Sequence, residues 1–151
     1  PAPAPTAAAG PGGRVLTGAP LGDAVRDLVR GATRELLVSS PWVTGVETLV
    51  ADIVAAPPQA RVLILSRRPE KDDGPFHQAM DQLGRRRAVT AWSPHIQTRL
   101  VISDERAIVG AASVPGAISR EVGVLVTDAA TVSALRAHFE RAHQEAAGGK
   151  Y

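Results

Sequence analysis

Two short apolar runs, Glu35 to Ser39 (ELLVS) and Arg61 to Ser66 (RVLILS), most constrain what this chain can fold into. Neither alternates apolar with polar residues, so each reads as a strand buried on both faces, which needs helices above and below it. The flanking sequence supplies them. Thr44 to Glu47 (TGVE) matches a capping box, and Val46, Leu49, Val50, Ile53 and Val54 form the helical stripe behind it until Pro57-Pro58. After the second run comes a polar loop, Pro69 to Gly74, and Pro75 opens a helix with Phe76, Met80 and Leu83 at core spacing. Gly84 ends that helix, and Ala88 to Trp92 reads as a third strand. Strand, helix, strand, helix, strand predicts parallel pairing with right-handed crossovers.

On the amino-terminal side, Thr17 is placed to cap a helix that tolerates Pro20 and carries Leu21, Val25, Leu28 and Val29 on one face, weakening at Gly31. On the carboxyl-terminal side, Gln97 to Asp104 reads as a strand, Asp104-Glu105-Arg106 as a turn, and Ala107 to Gly110 as a second strand pairing with it as a hairpin. A loop with Pro115-Gly116 leads to the strand Glu121 to Thr127. Asp128 then caps a last helix whose Val132, Leu135, Phe139 and Ala142 point inward. The expected fold is therefore α/β: a mixed, largely parallel sheet flanked by helices, in the order β-α-β-α-β-β-β-β-α after an amino-terminal helix.

A chain of 151 residues suits one domain. With 44% apolar but only 3% aromatic residues, its core must come from Val, Leu, Ile and Ala. Residues 1–13 (PAPAPTAAAGPGG) have the composition of a linker, which puts the domain at 14–147 and a tail at 148–151. Because the chain begins at Pro1, it is expected to be a fragment or processed form tethered to another domain. The lack of cysteine removes disulfides, thiol nucleophiles and thiolate metal sites. The four histidines, His77, His95, His138 and His143, have no metal-ligand spacing, and no cofactor is expected. A net charge of +2 permits nucleic-acid binding without arguing for it. No apolar run reaches the roughly 18 residues of a membrane span, so the expected location is the cytoplasm, with a mature secreted form as the alternative.

The residues that carry chemistry gather around the stretch His95 to Ser113, HIQTRLVISDERAIVGAAS. Two-residue spacing is expected to put His95, Gln97 and Arg99 on one face of the strand. Arg99 offers a planar fork to phosphate or carboxylate, or pairs structurally with Asp104 or Glu121. Ser39-Ser40 and Arg67-Arg68 follow the first two strands, where open α/β sheets meet their ligands, although solvated loops are the commoner fate of such residues. Arg85 to Arg87 lacks an interleaved aromatic for base stacking, and Trp42 and Trp92 read as packing residues.

This order of elements, together with that stretch and the later SREVGVLVTD, resembles one half-domain of the phospholipase D superfamily from Arg14 to about Ala146. The family signature is His-x-Lys, four residues, Asp, then about six residues to Gly-Ser. Gln97 stands at the His position, Arg99 at the Lys position and Asp104 at the Asp position. Gly110-Ala111 takes the Gly-Ser place with one residue fewer in the turn, and Ser119 before Glu121 resembles the closing Asn-x-Glu region. The resemblance implies that catalysis needs two such motifs, one His attacking phosphorus and the other protonating the leaving oxygen. Gln97 can do neither, because a neutral amide does not titrate and is a poor nucleophile.

The implied function is a non-catalytic ligand-binding or interaction and dimerisation module of a larger regulatory bacterial protein. It is similar to TrmB-type regulators, in which a degenerate domain of this fold follows a helix-turn-helix and binds a small ligand. The implied site comprises Gln97, Arg99, Ser113, Ser119, Ser39 and Arg67. Its partners would be an anionic or sugar-like small molecule, a second copy of the chain, and nucleic acid through a companion domain. The first alternative is a dimeric phosphodiesterase, nuclease or phospholipase, using His95, Arg99 and Asp104. It requires His95 to act from about 6 to 7 Å along the strand, an offset covalent catalysis does not usually tolerate. The second alternative is a nucleic-acid-binding domain.

Overall fold

The computed structural model describes residues 9–10, 13–41, 46–70, 73–111 and 121–148. The strands are β1 (Ala9–Gly10), β2 (Gly13–Thr17), β3 (Glu35–Ser40), β4 (Arg61–Ser66), β5 (Val89–Trp92), β6 (Thr98–Ser103), β7 (Arg106–Ala111) and β8 (Val122–Val126). The helices are α1 (Gly18–Arg30), α2 (Val50–Ala55), α3 (Gly74–Arg85) and α4 (Ala129–Ala147). The two apolar runs become β3 and β4, paired in parallel from Glu35↔Arg61 to Ser40↔Ser66 near the middle of one sheet. The strand order is β1-β2-β8-β7-β6-β3-β4-β5.

The sheet is mixed and helix-flanked as expected, but its balance differs from the expected one. Among the described residues, β3–β4 and β4–β5 are parallel and the other five pairings are antiparallel. Parallel pairing needs a helical crossover, and only α2 and α3 provide crossovers of that kind here. The tight turn at Asp104-Glu105 forces β6 and β7 to run against each other. The edge beyond β8 comes from the chain's beginning: Ala9 pairs with Arg14, and Gly13 pairs with Val126, so pairing extends into the stretch read as linker.

Helix starts follow local chemistry. Asp73 caps α3 by accepting from Phe76 N at 2.9 Å, with Pro75 in the first turn, and Asp128 caps α4 by accepting from Thr131 N at 2.9 Å. Thr17 precedes α1 in extended conformation, but its side chain makes no capping bond. The helix expected from Thr44 is the six-residue α2, and Thr44 and Trp42 lie outside the described residues.

The sheet separates two apolar layers. On one face α1, α2 and α3 bury Leu21, Val25, Leu28, Ile53 and Leu83 against Leu36, Val38, Val62, Ile64, Val101 and Ile108. On the other, α4 packs Val132 and Phe139 against Leu37, Leu65, Leu100 and Ile102, with Leu135 and Ala142 half-buried beside them. Phe139 is 1% exposed, so truncating it to Ala removes about 3–5 kcal/mol.

Gly110 faces Gly123 across the β7–β8 pairing, and a Cβ there would sit 2.8 Å from the carbonyl oxygen of Val122. Backbone cannot yield as a side-chain tip can. Gly110→Ala is therefore expected to lower unfolding free energy by about 1–3 kcal/mol in urea denaturation. Gly22 lies inside α1 with nothing within 4 Å of an added Cβ, so Gly22→Ala should raise stability by about 0.5–1 kcal/mol.

Candidate functional site

Because β6 runs against β3, its beginning lies beside the carboxyl end of β3, with Ser39 opposite Leu100. Ser39 Oγ donates to Thr98 O at 3.2 Å. The segment leading into β6 is held by its neighbours. Arg67 Nε donates to Ile96 O at 3.2 Å, Ser93 N donates to Ser66 O at 2.8 Å, and His95 N donates to Ser93 Oγ at 3.2 Å. Ser39, Arg67 and Gln97 are thus brought to one end of the sheet. Arg67 spends its Nε on a main-chain carbonyl, while Arg68 lies 5.3 Å over the Trp92 ring. Ser113 and Ser119 lie outside the described residues.

The sheet then divides the motif. Arg99 sits on the α1 side, where its Nη1 donates to Glu121 Oε2 at 2.6 Å. The two side chains are only 22% and 12% exposed, so this ion pair is largely withdrawn from solvent. Of the two partners considered for Arg99, Glu121 is the one it has. An anion reaching Arg99 must displace a short charge-assisted bond. His95 and Gln97 instead border a cavity of about 390 Å³ on the α4 side. The expectation that they share a face with Arg99 is corrected here. Face alternation holds only inside a strand, and β6 begins at Thr98, after the turn that follows Pro94.

His138, exposed on α4, lines the same cavity. It was not singled out from sequence, although its spacing of three from Leu135 and four from Ala142 was the available signal.

Asp104 closes the opposite end of β6, six residues of strand or about 20 Å from Gln97. It does not join His95 and Arg99. Its Oδ1 accepts from Arg34 N at 2.8 Å and Glu35 N at 3.1 Å, and its Oδ2 accepts from Thr33 N and Thr33 Oγ1, both at 2.9 Å. Its backbone takes φ 53°, in the left-handed region that Asp tolerates better than most residues. Burial pushes the carboxyl pKa up, but the amides of Thr33, Arg34 and Glu35 and the Thr33 hydroxyl outweigh it, holding the pKa at about 2 instead of 3.8.

Beside Asp104, Arg136 donates to the Glu35 carboxylate and to the Asp104 carbonyl, and Arg61 bridges Glu35 at 2.9 Å and Glu140 at 3.0 Å. This end of the sheet is a knot of mutually satisfied charges. It is built for cohesion.

A carboxylate with a depressed folded pKa contributes its full stabilisation above the unfolded value and loses it as pH falls through the folded one. The shift from 3.8 to about 2 at a side chain 20% exposed is worth about 1–2 kcal/mol after allowance for solvent screening. Asp104→Ala is expected to remove at least that much at neutral pH. In urea melts it should also flatten the fall in stability between about pH 4 and pH 2. An unchanged acid slope would mean that Asp104 holds no such clamp.

No family model and no curated protein matches this chain. Solved structures do. TrmBL2, an archaeal chromatin protein, superposes with a TM-score of 0.69 at 18% identity over 90% of this chain and 54% of its own. Nuc from Salmonella typhimurium, a phospholipase D family member, gives 0.65 at 14% identity over 89% and 95%. The phosphatidylserine synthase of Haemophilus influenzae Rd KW20 gives 0.66 at 11% identity over 82% and 35%. The chain thus spans about half of TrmBL2, a third of the synthase and nearly all of Nuc. With its central β3–β4 pair, the antiparallel β6–β7 hairpin and helices on both faces, this chain has the fold of a phospholipase D-like half-domain.

Proposed function

We propose that this domain is a non-catalytic phospholipase D-like module, serving ligand binding or interaction and dimerisation within a larger regulatory bacterial protein in the cytoplasm. The observation that carries this reading is the state of the motif. Gln97 stands where the resemblance places the nucleophile, and Arg99, at the cation's place, is closed on Glu121 at 2.6 Å. Neither can start phosphoryl transfer as arranged. What remains is a shaped, polar-edged end of the sheet formed by Ser39, Arg67 and Gln97, to which Ser113 and Ser119 would add from the segment after β7. An anionic or sugar-like ligand at this end of the sheet would meet Arg67, whereas Arg99, on the other face, would be reached only by exchanging for Glu121. TrmBL2, described as an archaeal chromatin protein with its own mode of DNA binding, is longer than this chain. By analogy, nucleic acid is contacted through a companion domain, and the present domain supplies ligand response or a homodimer contact.

A second reading is supported by one observation: His95 and His138 border the same cavity. Two imidazoles are what a nucleophile and a general acid require, so a phosphodiesterase with a relocated site deserves a direct assay. Bis(4-nitrophenyl) phosphate in the presence of EDTA is expected to show no turnover above background, identical for the native chain, His95→Ala and His138→Ala. Turnover that disappears in either variant overturns the non-catalytic reading. Direct nucleic-acid binding is checked by titrating duplex and single-stranded DNA at several salt concentrations. Affinity falling steeply with salt would transfer the DNA contact to this domain itself.

A further inference from the structure

The cavity under α4 has a chemistry of its own. Its apolar lining is Ile96, Val109, Leu135 and Ala142, half-buried, over the buried Leu65, Leu100 and Phe139. Its rim carries His95, Gln97, Thr98 and His138, all exposed. Ser39 is buried there, 5% exposed, with its hydroxyl hydrogen donated to Thr98 O at 3.2 Å, which leaves its oxygen lone pairs as acceptors. No Arg, Lys, Asp or Glu is among the described residues that line the cavity. Arg99, the cation of the motif, is on the other side of the sheet. At about 390 Å³ the space falls in the lower part of the range of small-molecule sites, roughly 300–1,000 Å³.

These features select a class of occupant. A phosphate or carboxylate drawn onto the apolar lining loses its hydration and finds no fixed counter-charge among the described residues that line the cavity. A sugar would bring many hydroxyls to an apolar lining that offers one serine oxygen, and unpaired hydroxyls are penalised in the same way. A molecule with an apolar body and a hydrogen-bonding group at one end meets neither cost. Its body covers Ile96, Val109, Leu135 and Ala142, and its polar end reaches the imidazoles and the amide of Gln97.

We infer that the cavity between β6 and α4 binds uncharged, mostly apolar small molecules, aromatic or short aliphatic, that carry one or two hydrogen-bonding groups. This rests on the reading of the domain as a ligand-binding module and replaces a charged or sugar-like ligand at this position with an apolar one. Binding here would bear on α4 directly, because Leu135, His138, Phe139 and Ala142 belong to that helix. A ligand's energy would go into the contact between α4 and the sheet.

Indole serves as the probe, because it is neutral, planar and has one N–H donor. In ¹H–¹⁵N correlation spectra, millimolar indole is expected to shift the amide resonances of Thr98, Leu100, His138 and Phe139, with saturation at the millimolar affinity of a fragment. Inorganic phosphate should leave them in place. Ala142→Phe, which fills the cavity from its half-buried edge, is expected to weaken indole binding about tenfold or more. Gln97→Ala changes only an exposed rim residue and should weaken it several-fold, which keeps the test intact if the filled variant fails to fold. No shifts with indole, or shifts that both variants leave unchanged, overturn the inference. Phosphate shifting these amides while indole does not overturns the uncharged class and leaves the ligand-module reading standing. Turnover of the phosphodiester with normal indole binding overturns only the non-catalytic reading.

Discussion

The carboxylate of Asp104 is the point on which the geometry of the sheet depends. The loop between α1 and β3 presents three consecutive amides, Thr33, Arg34 and Glu35, that would otherwise lack partners at the start of a buried strand. One side chain from 70 residues away gathers them. In doing so it fixes where the β6–β7 turn sits against the first residue of β3, and with it the register in which Leu36 faces Ser103 and Ser39 faces Leu100. A slip of one residue would turn Leu100 and Ile102 toward α1 and Arg99 toward α4. Arg136 secures the same corner by joining Glu35 to the Asp104 carbonyl. The cohesion at one end of β6 therefore sets which side chains face α1 and which face α4 at the other.

That register has a consequence for the motif. In a strand, neighbours at two-residue spacing share a face only while the chain stays extended. The chain turns at Pro94-His95 and is extended only from Thr98. Gln97, before the strand, lines the cavity on the α4 side, while Arg99 pairs with Glu121 on the other. Glu121, adjacent to the start of β8, is close enough to Arg99 to take its charge at 2.6 Å. A pair 22% and 12% exposed is costly to open, because each ion would have to be rehydrated or repaired by a ligand.

How much of this could be read in the sequence follows from the range of each interaction. Helix caps are local, so Asp128 was legible, and the Pro75 start was right to within a residue. The runs ELLVS and RVLILS identified the sheet's centre because burial on both faces needs nothing but apolar side chains. β2 was not legible. Its GRVLT has two apolar neighbours, and its full-length partner is β8, more than a hundred residues later. The predominance of antiparallel pairing was missed for the same reason, since it depends on where β6 and β2 insert. Asp104 was read as a remnant of catalysis because its type and spacing fit the motif. Its positive φ and its three amide partners exist only in the folded chain.

Ser39 and Gln97 line one cavity and Arg67 bonds the neighbouring Ile96, because strand ends and strand order follow from the topology. Which face each side chain takes depends on where β6 begins, a matter of one residue. Sequence assigns element boundaries least well, and here one boundary decides which side chains Gln97 neighbours. On the α4 side it lines a cavity with Ile96, Leu135 and Ala142. With Gln97 on the α1 side it would have met Arg99 and Glu121. The first arrangement ties the cavity to the packing of α4, the helix that covers this face of the sheet among the described residues. Any change in the packing of that helix is therefore felt at once by Leu65, Leu100 and Ile102 of the sheet.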